Sequence, residues 1–120
     1  MREQLLLSVL SDLNSTSTAI SASAVISTDG LPIATLLPNH LNADRVGAMS
    51  ATLLALGNRA VQELACGELD QVMVKGKSGY ILLSQAGSNA VLALLAKEGG
   101  KLGLILLDAK RAAKHIADIV

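Results

Sequence analysis

The sequence predicts an α+β fold: a five-stranded, mainly antiparallel sheet sandwiched by helices, in the chain order α-β-β-α-β-β-β-α. Three observations carry this expectation. Apolar residues recur at helical spacing in segments 3–13, 42–65 and 101–119. Five shorter segments between them alternate or run apolar over strand lengths. The turns Asp29-Gly30, Gly76-Lys77-Ser78-Gly79 and Gln85 to Asn89 are short, and short connections make neighbouring strands antiparallel. At 120 residues the chain reads as one domain over 1–120, able to bury roughly two thirds of the surface its unfolded form exposes.

The first helix, 3–13, places Leu6, Val9, Leu10 and Leu13 on one face, and the polar run Asn14 to Thr18 ends it. From Ala19 to Thr28, Ile20, Ala22, Ala24 and Ile26 alternate with Ser21, Ser23, Val25 and Ser27, as a strand does. Asp29-Gly30 predicts a two-residue type I′ turn into a second strand, Leu31 to Leu37. Asn42 or Asp44 caps a long helix to about Ala65, closed by Gly67 at C′. Its stripe Val46, Met49, Leu53, Gly57, Ala60 and Leu64 is expected to pack on the sheet. The opposite stripe reads Asp44, Ala48, Ala51, Ala55, Arg59 and Gln62, poorer in Lys and Glu than an ordinary solvated face. Strands follow at Leu69 to Lys75, Tyr80 to Ser84 and Ala90 to Ala96. The last two are apolar on both faces and so need cover on both sides. Gly99-Gly100 breaks the chain before the final helix, which turns Leu102, Ile105, Leu106, Ala109, Ala113 and Ile116 inward.

Composition removes several classes of function. Ten basic residues balance ten acidic ones, and the chain has one aromatic, Tyr80, so it offers neither the electrostatic footprint nor the stacking surface of a nucleic-acid binder. The apolar start Leu5-Leu6-Leu7 is broken by Ser8, Ser11 and Asp12. No stretch approaches the roughly 20 apolar residues of a membrane span, so membrane insertion is not expected. A single cysteine, Cys66, cannot form an intramolecular disulfide, and a cytoplasmic location is the expectation.

No catalytic constellation emerges, and no cofactor or metal is expected. Gly76-Lys77-Ser78 has the tail of a phosphate-binding loop, but Gln71 stands where its first glycine belongs, and the segment joins two strands instead of leading into a helix. Gly99-Gly100-Lys101-Leu102-Gly103 matches no phosphate motif and reads as a chain reversal. His40 and His115 lack acids or thiols at metal-ligand spacing, and Cys66 sits at a helix C-terminal end, where the dipole does not activate it.

The informative features are surfaces. Pro32 and Pro38 suit the second strand to a protected sheet edge. The strand containing Val72, Met73 and Val74 has no proline. As the other edge it invites pairing with a second copy, while Ala48, Ala51 and Ala55 let a twin helix approach. A homodimer built on these six residues is expected. The polar rim beside them, Asp44, Arg45, Thr52, Arg59 and Gln62, is the candidate surface for another protein.

The order of elements resembles the roadblock family of dynein light-chain-type domains, over essentially the whole chain. The resemblance rests on Asp29-Gly30 followed by an apolar strand with Ile33, the Ala/Gly-rich helix from Asn42, Gly79-Tyr80-Ile81, and Leu102-Gly103-Leu104 opening the last helix. It implies a roadblock- or profilin-like fold. It also implies dimers in which third strands join into a ten-stranded sheet with the two second helices side by side, and non-enzymatic roles as GTPase regulators or scaffolds. Bacterial members often act on a Ras-like GTPase, and the absence of a motor-associated extension places the chain nearer that branch. The resemblance therefore implies a homodimer that binds a Ras-like small GTPase. The alternative is a scaffold subunit that pairs with a different roadblock-type protein.

Overall fold

In the computed structural model, which describes residues 1–120, the chain runs α1 (Arg2–Ser15), β1 (Ile20–Ser27), β2 (Pro32–Leu36), α2 (Ala43–Glu63), β3 (Gln71–Lys75), β4 (Gly79–Ala86), β5 (Ala90–Lys97) and α3 (Leu102–Ile119). The strands form one antiparallel sheet in the order β2-β1-β5-β4-β3. Its two edges are therefore β2, which carries Pro32, and β3.

Helices α1 and α3 pack together on one sheet face. Leu6, Leu10 and Leu13 of α1 and Ile105, Ala109, Ala113 and Ile116 of α3 close over Val25, Leu82, Leu92 and Leu94. Helix α2 alone covers the other face, over a smaller cluster of Leu54, Leu83, Val91 and Ala93. Cover on both faces explains why the central strands are apolar throughout. It also buries Ser23, which stays satisfied by donating a 2.7 Å hydrogen bond to Asn14 Oδ1.

Three local expectations need correction. The β1–β2 connection is not a type I′ turn, because only Gly30 has positive φ (97°). It is a three-residue loop in which Gly30 N–H donates to the Ser27 carbonyl and Ser27 N–H to the Leu31 carbonyl, a type I turn closed by a left-handed glycine. Asp29 is held by the Ser27 hydroxyl instead of by a positive φ.

Helix α2 is capped by Asn42, whose Oδ1 accepts from Arg45 N–H at 3.1 Å. It stops at Glu63, and Ala65, not Gly67, takes the left-handed C′ position, with φ 56°. Cys66 N–H donates to the Val61 carbonyl at 2.8 Å and Ala65 N–H to Gln62 at 3.4 Å, the paired bonds of a Schellman motif.

The third correction concerns the inward face of α2. The buried positions are Gly47, Ser50 and Leu54, whereas Met49 is 54% exposed and Leu64 74% exposed. Of the expected stripe, Leu53 packs against the Leu54 cluster and Gly57 lies over Val72, whereas Met49, Ala60 and Leu64 turn to solvent. A hydrophobic wheel discounts Gly and Ser, yet these small residues bring the helix backbone down onto the sheet. A side chain at Gly47 would collide with the Gly30 carbonyl.

Candidate interaction surface

Strand β3 is held on one side only. It pairs with β4 from Gln71↔Ser84 to Lys75↔Tyr80, and its other side has no neighbouring strand. Gln71 Nε2 fastens its start, donating to Ser84 Oγ at 2.9 Å and to the Leu106 carbonyl at 3.3 Å. Exposed ion pairs flank it, Lys110–Asp70 at 3.3 Å and Lys75–Glu98 at 3.2 Å. At this exposure each is worth at most a few tenths of a kcal/mol to about 1 kcal/mol.

Side chains of β3 alternate between the two sheet faces. Val72 packs beneath α2, and the absence of a side chain at Gly57 permits this, because a Cβ there would lie 2.7 Å from Val72 Cγ2. Val74, 43% exposed, projects on the same face beyond the helix, while Met73, 44% exposed, projects on the α3 face beside Tyr80 and Leu102.

The sides of α2 differ. Ala48 and Ala55 are exposed and Ala51 is half-buried, and a side chain at Gly30 would meet Ala51 Cβ at 3.5 Å. The alanine stripe therefore borders the β1–β2 loop. On the other side, Val46, Met49, Ser50 and Leu53 line an apolar cleft of about 170 Å³ with Leu37, Leu41, Ile81 and Leu95. Leu56, 63% exposed, lies one turn further on. Sequence reasoning left Met49, Leu53 and Leu56 out of the candidate surface, having assigned the first two to the sheet contact.

The rim residues Asp44, Arg45, Thr52, Arg59 and Gln62 are all exposed, but they do not form one cluster. Asp44 and Gln62 lie 18 positions apart, about 27 Å along a helix. Thr52 Oγ1 donates back to the Ala48 carbonyl at 2.8 Å. Arg59 Nε pairs with Glu63 at 3.0 Å, with both side chains mostly in solvent. Gln62 borders an open, polar cleft with Asn58, Glu68 and Gln85.

Little here resembles a reaction centre. Gly76-Lys77-Ser78 forms the β3–β4 hairpin, where Gly76 N–H donates to the Gly79 carbonyl at 2.7 Å, and no helix follows to present amides to a phosphate. No group of three His, Cys, Asp or Glu is placed to hold a metal ion. Cys66 is exposed. Desolvation by burial raises the Tyr80 phenol above its ordinary value of 10.0, and its hydroxyl is buried without a partner. No helix is long and apolar enough to cross a membrane.

The architecture defines a small α+β module that presents surface: one open sheet edge, and one helix with unlike flanks. The chain belongs to the Roadblock/LC7 domain family, whose pattern matches residues 6–96. It is 39% identical over 108 residues to the uncharacterized protein MJ1340 of Methanocaldococcus jannaschii, covering 90% of this chain and 93% of that protein. Among solved structures it is similar to MglB with a tetrameric arrangement, at 22% identity and a TM-score of 0.89 over 98% of this chain and 89% of that one. It is similar also to a Roadblock/LC7 domain from Streptomyces avermitilis, at 24% identity and a TM-score of 0.85 over 92% of each chain. These structural likenesses establish the fold.

Proposed function

We propose that this chain is a non-enzymatic interaction module that pairs with a second copy and, as a dimer, binds a Ras-like small GTPase, biasing its nucleotide state by positioning the GTPase's own residues. The observation that carries the pairing is the open edge of β3, where Val74 stands exposed on the α2 face of the sheet and Met73 on the α3 face. Unpaired edges of this kind are normally blunted by proline, charge or a bulge, and of the two edges only β2 contains proline. Membership of the roadblock family, which includes GTPase regulators as well as scaffolds, supports the GTPase as the partner. Asp44, Arg45, Thr52, Arg59 and Gln62 supply the polar surface for it.

Light scattering at micromolar concentration tests the pairing, and a monomer refutes it. Binding to a Ras-like GTPase, loaded in turn with GDP and with a non-hydrolysable GTP analogue, tests the partner. Rim charges act mainly on encounter rate and specificity, so Arg59→Glu and Asp44→Lys weaken that association while the dimer persists. Unchanged affinity in both variants refutes the assigned surface. Saturable magnesium-GTP binding by the isolated chain that Lys77→Ala abolishes refutes the non-enzymatic reading.

A further inference from the structure

Resting on the pairing proposed above, we infer its register: the twofold axis passes through Met73, so that Met73 faces Met73 of the second copy, Gln71 faces Lys75, and Val72 faces Val74.

The inference comes from hydrogen-bond parity. In an antiparallel ladder, residues alternate between those that exchange hydrogen bonds with the facing strand and those that direct their amide and carbonyl the other way. The Gly76 N–H to Gly79 carbonyl bond closes the β3–β4 hairpin, and with Val74↔Ile81 and Val72↔Leu83 in register it assigns the even residues of β3 to bonding with β4. An independent count from the far side of the sheet agrees. Lys97 N–H donates to the Ala19 carbonyl and Thr28 N–H to the Asn89 carbonyl, so odd residues of β5 bond toward β1. Even residues of β5 then bond to β4, through pairs such as Leu94↔Leu82, which leaves Ile81 and Leu83 to bond to β3. The backbone groups of Gln71, Met73 and Lys75 therefore point outward from the open edge.

Only outward residues can exchange bonds across a new strand pair. An axis at Met73 matches Gln71 with Lys75, Met73 with Met73 and Lys75 with Gln71, so that every outward residue is used. An axis at Val72 or Val74 uses two pairs of the three. An axis between two residues sets an outward residue against an inward one and is excluded. Side chains agree with this choice. On the α2 face the half-buried Val72 meets the exposed Val74 of the other copy, twice, and β-branched cross-strand pairs of this kind are favourable. On the α3 face the exposed Met73 meets its twin, and Lys75 lies opposite an uncharged Gln71 instead of another lysine.

Disulfide trapping in a Cys66→Ser background tests the register. Facing residues that exchange hydrogen bonds have Cα atoms about 5.5 Å apart, and the intervening facing pairs about 4.5 Å; both suit a disulfide, whereas separations above about 7 Å do not. Met73→Cys alone yields a covalent dimer under mild oxidation. Val72→Cys alone and Val74→Cys alone do not, because each lies about 8 Å from its own twin, two residues out of register. A mixture of those two chains yields a mixed covalent dimer. Gln71→Cys mixed with Lys75→Cys gives the same product from exposed positions, in case Met73→Cys disturbs the fold. A dimer by light scattering that cross-links through Val72→Cys alone, or through none of these combinations, overturns the register and leaves the pairing standing. A monomer overturns the pairing itself.

Discussion

Gly47→Ala sets two effects of known sign against each other. In a helix interior alanine is favoured over glycine by about 1 kcal/mol, so propensity alone raises stability. Gly47, however, is buried against the β1–β2 loop, where a methyl group would run into the Gly30 carbonyl and come within 3.5 Å of Pro32 Cδ. Neither neighbour is a side chain that can rotate away: one is backbone at a glycine with φ 97°, the other a closed ring. The helix or the loop must move, and overpacking of this kind costs about 1–3 kcal/mol or more. With the rigid backbone in the way the steric cost lies toward the upper end of that range and wins, with a net loss of up to about 2 kcal/mol and a fall in Tm of up to roughly 8 °C. Gly103→Ala is the control, since a Cβ there meets nothing within 4 Å. It gains up to about 1 kcal/mol from propensity. The assay is thermal and urea unfolding followed by circular dichroism, with all chains at one concentration because the proposed pairing would couple Tm to concentration. If Gly47→Ala unfolds at or above the temperature of the unmodified chain, the close approach of α2 to the loop is wrong.

Leu54→Ala empties the one large buried side chain of α2, 4% exposed, and lowers stability by about 2–4 kcal/mol, read as a shift in urea midpoint at unchanged slope. Tyr80→Phe removes a buried hydroxyl without a partner and raises stability by about 1 kcal/mol; an equal loss would show that the hydroxyl is bonded. Because the folded phenol ionises above the unfolded value of 10.0, the native state holds the proton longer. Stability of the unmodified chain thus falls as pH rises past 10.0, and Tyr80→Phe loses this part of the alkaline decline. Met73→Pro deletes an outward N–H and separates the proposed dimer while the fold survives, whereas Val74→Pro deletes a ladder bond to β4 and unfolds the chain in part. Equal effects of the two prolines on circular dichroism would contradict the parity of β3.

The order and type of all eight elements were legible because each carries a signal of its own. The period-3.6 leucines of α1, the alternation Ile20, Ala22, Ala24, Ile26 and the glycine turns depend only on near neighbours in the chain. One edge strand was legible as well, because proline cannot donate to a ladder and Pro32 marked it; that the strand of Val72 to Val74 is the other edge and not a buried central strand came from the sheet order. Of the candidate surface, Val72, Met73 and Val74 were placed on the correct strand. Their sorting, with Val72 and Val74 facing α2 and Met73 facing α3, appears only once the hairpin register is known.

Sequence alone determined the elements, the antiparallel connections, the proline-bearing edge and the family resemblance, because these follow from local periodicity, turn chemistry and the missing hydrogen-bond donor of proline. The rotation of α2 was decided by the tertiary structure. Apolar and small residues surround much of that helix, so its wheel has more than one acceptable phase, and the deciding contact is steric: Gly47 and Gly57 fit where the β1–β2 loop and Val72 approach. That contact joins residues distant in sequence through the absence of side chains, and absent atoms leave no hydrophobic signal. The same rotation carried Met49 from the expected core to the rim of a cleft, left Leu53 between that cleft and the sheet cluster, and turned the alanine stripe toward the loop. Which amides of β3 face outward was decided likewise, by a hairpin closure at Gly76 and Gly79 whose parity the rest of the sheet repeats.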